Sequence, residues 1–256
     1  MSELPFSLER TVLICARSQT VFRFFTDSTR FASWWGTGSE IEARPGGRVQ
    51  IRYPNGVLAR GEVLEVDPPR RIAFTYGYDD PSRPIPPGGS RVTVTLEERP
   101  QGTLVRLRHD VADAVARDHH DQGWRYQLAV FANVVANDEH QGATARVDAL
   151  FRAWGEPDPA VRRRLLEESV TPEISFRDAF SATSGIEDLH EHMAAAQMHM
   201  PGVRLAREGD LRQCQGTAVA RWVATGADGS VKGKGLNVYQ LAPDGRIAEA
   251  VGLWER

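Results

Sequence analysis

Apolar and polar positions alternate from the first residues onward. Phe6, Leu8, Val12 and Ile14 stand at alternate positions around Arg10, the period of a strand, and predict one over 5–16. Ser18 suits the N-cap of a short helix carrying Val21, Phe22 and Phe25. A loop ending in Trp34-Trp35-Gly36 follows. Strand-like runs at 47–53, 57–67, 70–78, 90–98 and 102–110 come next, with Pro45-Gly46-Gly47, Asn55-Gly56 and Pro68-Pro69 as turns. The stretch from Asp79 to Gly89 is rich in Pro and Gly and reads as an exposed loop. The period then lengthens: Trp124, Leu128, Phe131 and Val135 share one face of a helix running to about Asn137.

Past a polar junction from Asn137 to Gly142 the order of elements reverses. Val147, Leu150, Phe151 and Trp154 form one amphipathic stripe, and Val161, Leu165 and Leu166 another. A short strand at 173–177 and a helix at 186–198 precede three strands near 213–224, 231–241 and 246–254. Ala227-Asp228-Gly229 and Pro243-Asp244-Gly245 mark hairpin turns. The pattern predicts an α+β chain of two domains, 1–139 and 143–256. The first is an antiparallel sheet covered by a long C-terminal helix. The second is a cone-like α+β barrel with a curved sheet. Opposite element orders argue against an internal repeat.

Composition narrows the function classes. The 256 residues are 41% hydrophobic and 25% charged, with a formal net charge of −3, ordinary values for chains that bury a core. No long basic run exists, which argues against nucleic acid and anionic membrane as partners. No apolar stretch reaches the roughly 20 residues a membrane span needs. The first residues lack a signal peptide's apolar run, so the expected location is cytoplasmic. Cys15 and Cys214 lie in strand-like runs of different halves and read as buried free thiols.

Two resemblances add to this reading. Trp34-Trp35-Gly36, Arg44-Pro45-Gly46-Gly47-Arg48, the run from Gly61 to Arg71, and Gly123-Trp124 stand in the order found in AHSA-type domains. These are homologues of the activator of a heat-shock chaperone ATPase, within the START-like, helix-grip SRPBCC superfamily. The resemblance covers about residues 5–138 and implies a sheet gripping a long helix around a cavity. Phe176-Arg177-Asp178, Gly185 to Leu189, Gly235-Leu236-Asn237-Val238 and Asp244 to Ile247 resemble a SnoaL-like domain of the nuclear-transport-factor-two superfamily. That group includes polyketide cyclases and steroid isomerases as well as binders without catalysis.

The second resemblance implies candidate chemistry. Asp178 falls where ketosteroid-isomerase-like relatives place a general-base aspartate, and Asn237 where they place a group that stabilises an enolate oxygen. Phe151 stands where they carry a phenol. The plainer alternatives are a carboxylate capping the next turn and a buried amide satisfied by its neighbours. His190, His192 and His199 lack zinc-ligand spacing, and no metal or cofactor is expected. Phe151, His192 and Tyr239 are candidate ligand contacts of a second cavity. His119-His120 reads as solvated surface.

In the first domain Trp34, Trp35, Tyr53, Tyr76, Tyr78, His109 and Trp124, with Arg52 and Arg108, are candidates for a cavity wall. Aromatic walls with few polar tips suit small ligands; simple core packing is the alternative. The expected partners are a small apolar or amphipathic ligand, a second copy meeting through the exposed sheet face near Trp222, Val238 and Trp254, and a chaperone or regulatory protein. A binding protein is the leading reading, with a lyase or isomerase using Asp178 as general base and a chaperone- or regulator-interacting module as the alternatives.

Overall fold

The computed structural model describes residues 3–255. The chain divides into two compact units, residues 1–138 and 139–256. The first unit holds a seven-stranded antiparallel sheet in the order β1-β7-β6-β5-β4-β3-β2. Its strands are β1 (Phe6–Ile14), β2 (Glu40–Ile41), β3 (Arg48–Arg52), β4 (Leu58–Asp67), β5 (Arg71–Tyr76), β6 (Ser90–Arg99) and β7 (Gly102–Val111). Alternation decides the faces. Ile72, Phe74 and Tyr76 of β5, Val92 and Val94 of β6, and Val105 and Leu107 of β7 all join one buried core.

Three helices complete this unit. Ser18 lies inside α1 (Ser18–Arg23), and the N-cap position belongs to Arg17. The Ser18 hydroxyl donates instead to the Glu98 carboxylate. A second helix, α2 (Ser28–Trp35), occupies part of the stretch read from sequence as a loop. The Asp27 side chain caps it, accepting from the Arg30 N–H at 3.0 Å. It ends at Gly36, whose φ of +146° and closeness to the Arg52 carbonyl, 2.3 Å from where a Cβ would sit, exclude other residues. The adjacent indoles of Trp34 and Trp35 are thus fixed on a helix's last turn. The 79–89 stretch is not wholly exposed either. Ile85 is buried and its carbonyl accepts from the Tyr78 N–H at 2.7 Å. The long helix α3 (Ala114–Glu139) buries Trp124, Leu128, Phe131 and Val135 in the same core, where Phe131 meets Phe24, Phe25 and Trp34.

The second unit opens with α4 (Ala143–Gly155) and α5 (Pro159–Ser169), the latter capped by Asp158. A six-stranded sheet follows in the order β10-β11-β12-β13-β8-β9. It comprises β8 (Val170–Arg177), β9 (Ala182–Ser184), β10 (Arg204–Cys214), β11 (Thr217–Thr225), β12 (Val231–Leu241) and β13 (Ile247–Trp254), with α6 (Ile186–His199) between β9 and β10. The pairing of β13 with β8 is parallel, so the sheet is mixed.

The strand expected at 213–224 is in fact the end of β10 and most of β11, joined by a turn at Gln215-Gly216, both at positive φ. Strand β10 lies at the sheet's edge and exposes every second residue, so its apolar signal is weak. Its last residue, Cys214, is exposed, and Cys15 is only half-buried, contrary to the expectation of two buried thiols. Among the described residues no helix is long and apolar enough to cross a membrane.

Candidate functional site

The first unit holds a cavity of about 400 Å³ that is half open to solvent. Trp34 and Trp35 from the end of α2, Tyr53 after β3, Tyr76 at the end of β5, Tyr78 two residues beyond it, and Trp124 from α3 supply most of its wall. The rings brace one another at steep angles: Trp35 meets Tyr53 at 86° and Trp124 at 74°, with centroids 5.8 and 5.5 Å apart. Such edge-to-face contacts add to the stabilisation from burying the rings. Gly123, Tyr126 and Gln127 of α3 extend the wall, and the Gln127 amide donates to the Trp34 carbonyl. No aspartate, glutamate, lysine or arginine belongs to the lining.

Two buried histidines stand among these rings, and their bonds fix their tautomers. His120 Nδ1 lies 2.7 Å from the Ala116 carbonyl oxygen, which can only accept, so Nδ1 carries the proton. Its bare Nε2 then accepts from the Tyr78 hydroxyl at 3.1 Å. The Tyr53 and Tyr76 hydroxyls bond each other at 2.7 Å. Burial raises the pKa of both Tyr53 and Tyr76, so both remain phenols at neutral pH. Burial likewise lowers the pKa of His120.

His109 has no exposed surface and does not reach the cavity. The Trp124 indole N–H donates to its Nδ1 at 3.0 Å, and its Nε2 donates to Ser90 Oγ at 2.7 Å. Burial, and then the neighbouring His120, push its pKa down to about 3, with Asp110 opposing. His109 therefore holds Trp124 from behind the wall, a correction to its place among ligand-contacting candidates. Arg52 is exposed, and Arg108 pairs with Asp110 on the other face of the sheet; neither lines the cavity.

In the second unit Asp178 follows β8 and Asn237 lies on β12, and both flank Gly252 of β13. A Cβ on Gly252 would sit 3.1 Å from Asp178 Cβ and 3.2 Å from Asn237 Oδ1. The carboxylate of Asp178 is engaged on both oxygens. Oδ1 accepts from the Phe180 N–H at 2.8 Å and the Ser181 hydroxyl at 2.6 Å; Oδ2 accepts from the Trp254 indole at 3.1 Å. Asn237 accepts from the Trp222 indole at 2.8 Å and donates to the Tyr239 hydroxyl at 3.1 Å. Trp222, Asn237 and Tyr239 are all buried, and burial raises the Tyr239 pKa.

Phe151 is packed in this unit's core and supplies no hydroxyl; the phenol near Asn237 comes from Tyr239, two residues along the same strand. His192 is half-buried against the Trp154 ring, 5.7 Å away. No three His, Cys, Asp or Glu side chains among the described residues cluster as a metal site would require.

Comparison with known proteins bears on the cavity-bearing unit. Residues 16–136 match the family model of Activator of Hsp90 ATPase homolog 1-like protein. They form an AHSA1-like domain. No curated protein matches the chain. Among solved structures, an AHSA1-like protein from Rhizobium etli is 34% identical, covering 53% of this chain and 87% of its own, with a TM-score of 0.43. A SnoaL-like family protein from Agrobacterium tumefaciens is 24% identical, covering 46% of this chain and 99% of its own, with a TM-score of 0.42. The Aha1 dimer from Colwellia psychrerythraea is 17% identical, covering 48% of this chain and 90% of its own, at 0.42.

Within the AHSA1-like domain the sequence motif Trp34-Trp35-Gly36 contributes to the cavity wall, and Gly123-Trp124 contributes a second part of it. His120 is the residue that sequence reading missed. His119 is exposed, but His120 is buried and bonded to Tyr78. The available signal was helical spacing: His120 stands four residues before Trp124 and so shares its face.

Proposed function

We propose that this protein binds a small, apolar molecule in the aromatic cavity of its AHSA1-like domain. The observation that carries this reading is the cavity itself: about 400 Å³, walled by indoles and phenols, with no ionised carboxylate, ammonium or guanidinium in its lining. A volume in this range, lined by rings with a few polar tips, is the usual form of a small-ligand site. Nile red, an uncharged dye that brightens in apolar surroundings, tests it. Saturable brightening that a bulky residue at Gly123 removes supports the reading. Brightening unchanged by that substitution would refute this location.

Catalysis at Asp178 is the second reading. It is favoured by the approach of Asp178 and Asn237 to one glycine and by the Tyr239 hydroxyl on Asn237. Against it, three donors already hold the Asp178 carboxylate in its turn, the work of a structural cap. Turnover of an enolisable ketone, lost in Asp178→Asn with the fold intact, is what this reading requires.

We also infer self-association through the outer face of the second unit's sheet. Val219, Val238 and Val251 stand in one register row there, with Leu236 and Leu253 in the next, and all five are at least partly exposed. Trp222 is buried on the opposite face and is no part of this surface, which corrects the sequence-based grouping of Trp222 with Val238. Sedimentation should show a dimer that Val238→Lys weakens; a wild-type monomer at high concentration would refute it.

A further inference from the structure

The cavity of the AHSA1-like domain has a dry floor and a wet rim, and this division restricts its ligand further; the inference rests on the small-ligand reading above. Trp34, Trp35, Tyr76, Tyr78, His120 and Trp124 form the floor, each no more than 7% exposed. Ser33, Pro54, His119, Gly123 and Tyr126 belong to the same lining and are exposed, Tyr126 at 71%. The cavity is half open to solvent, and these exposed residues stand at its open side.

Helix α3 accounts for the division. His119, Gly123, Tyr126 and Val130 follow one another at helical spacing and form one stripe of the lining. The stripe spans about 16 Å of helix. His120 and Trp124 stand one residue beyond His119 and Gly123 and are buried. The helix thus meets the cavity with the border of its buried face, and the opening runs along that border. The other lip is the last turn of α2, where Ser33 is exposed and Trp34 is buried. The Gln127 amide of α3 donates to the Trp34 carbonyl and ties the two lips together. A carbonyl in a helix's last turn has no partner within the helix, so this bond satisfies it.

The two zones treat a polar group differently. On the floor it would lose water and meet phenols and an imidazole already bonded: Tyr53 to Tyr76, Tyr78 to His120, and His120 to the Ala116 carbonyl. Burying a polar group without a compensating bond is unfavourable. At the rim water remains, and an exposed phenol such as Tyr126 suits a border that is apolar on one side and wet on the other.

We propose that the cavity receives the apolar end of an amphipathic molecule: a ring or short chain lies on the floor, and the polar remainder leaves between α2 and α3 into water. The polar part is then not confined by the cavity's volume. The ligand as a whole can be larger than the space that holds its end.

The test uses the full chain and two naphthyl ethers, methoxynaphthalene and the same ring carrying an octaethylene glycol chain in place of the methyl group. Each is titrated against bound Nile red. The chain should weaken binding by no more than about threefold, because it stays in water. A third probe carries a nitroxide joined to the ring by a short ether link. It should broaden the ring resonances of His119 and Tyr126 more than those of Tyr76. A chain that weakens binding by more than about threefold, or broadening strongest at Tyr76, would overturn the proposal while leaving methoxynaphthalene binding, and the small-ligand reading, intact. Binding of neither ether would overturn both.

Discussion

The two units bury the same kinds of side chain to opposite ends. In the first, tryptophans, tyrosines and a histidine line a cavity. In the second, Trp222 and Tyr239 close upon Asn237, and Trp254 closes upon the Asp178 turn. Glycines decide much of the difference. Gly235 lies beneath the Trp222 ring, where a Cβ would come within 2.5 Å of the indole, and Gly233 lies beneath Trp254, where it would come within 2.8 Å. There glycine lets a ring lie down on the strand and fill space. In the first unit Gly123 faces no atom within 4 Å of a Cβ position, so glycine there leaves space unfilled. A tryptophan in a sequence therefore says little about a cavity until the residues opposite it are known.

The contrast can be broken most forcefully with acid. His109 is neutral in the folded state because its pKa is held near 3, against an ordinary 6.5. The unfolded chain takes up a proton that the folded one does not, so stability is full above pH 6.5 and falls as pH drops towards 3. By pH 4 the loss from His109 is about 3 kcal/mol, an order-of-magnitude figure. Denaturant unfolding followed by the resonances of residues 16–136 should show it. A pH-independent stability across that window would contradict the buried neutral imidazole.

A smaller effect is expected at Gly235. Gly235→Ala places a methyl against both the Trp222 ring and the Leu253 carbonyl and should destabilise the second unit by about 1–3 kcal/mol. Calorimetric unfolding measures it, and a neutral result would mean the ring is not seated as described. Smallest, and opposite in sign, is Gly123→Leu. It replaces a mid-helix glycine where space is open, so stability should rise by about 0.5–1 kcal/mol while Nile red binding is lost. A destabilised variant that still binds the dye would reverse the proposed difference between the units.

Sequence periodicity located the long elements because their packing and their pattern agree. Helix α3 is legible from Trp124, Leu128, Phe131 and Val135, and β5 from Ile72, Phe74 and Tyr76. Elements whose signal is local or mixed escaped. Helix α2 rests on the Asp27 cap and on a glycine stop, and β10 is an edge strand with charges along its length. The candidate site was partly legible in the same sense. The aromatic wall could be named from Trp34, Trp35, Tyr53, Tyr76 and Tyr78, since a strand end and a motif announced them. Which side of the sheet Arg108 takes and which histidine turns inward depend on tertiary packing, and so does the approach of Asp178 to Asn237 across Gly252.

The six tryptophans provide the most direct test of the central claim, for three stand in each unit: Trp34, Trp35 and Trp124 in the first, Trp154, Trp222 and Trp254 in the second. Their indole N–H resonances, followed during titration of the full chain with Nile red, report which unit takes up the ligand. The account predicts saturable shifts of the first three, with the other three unmoved. Shifts confined to Trp154, Trp222 and Trp254 would contradict it and place the binding site in the second unit.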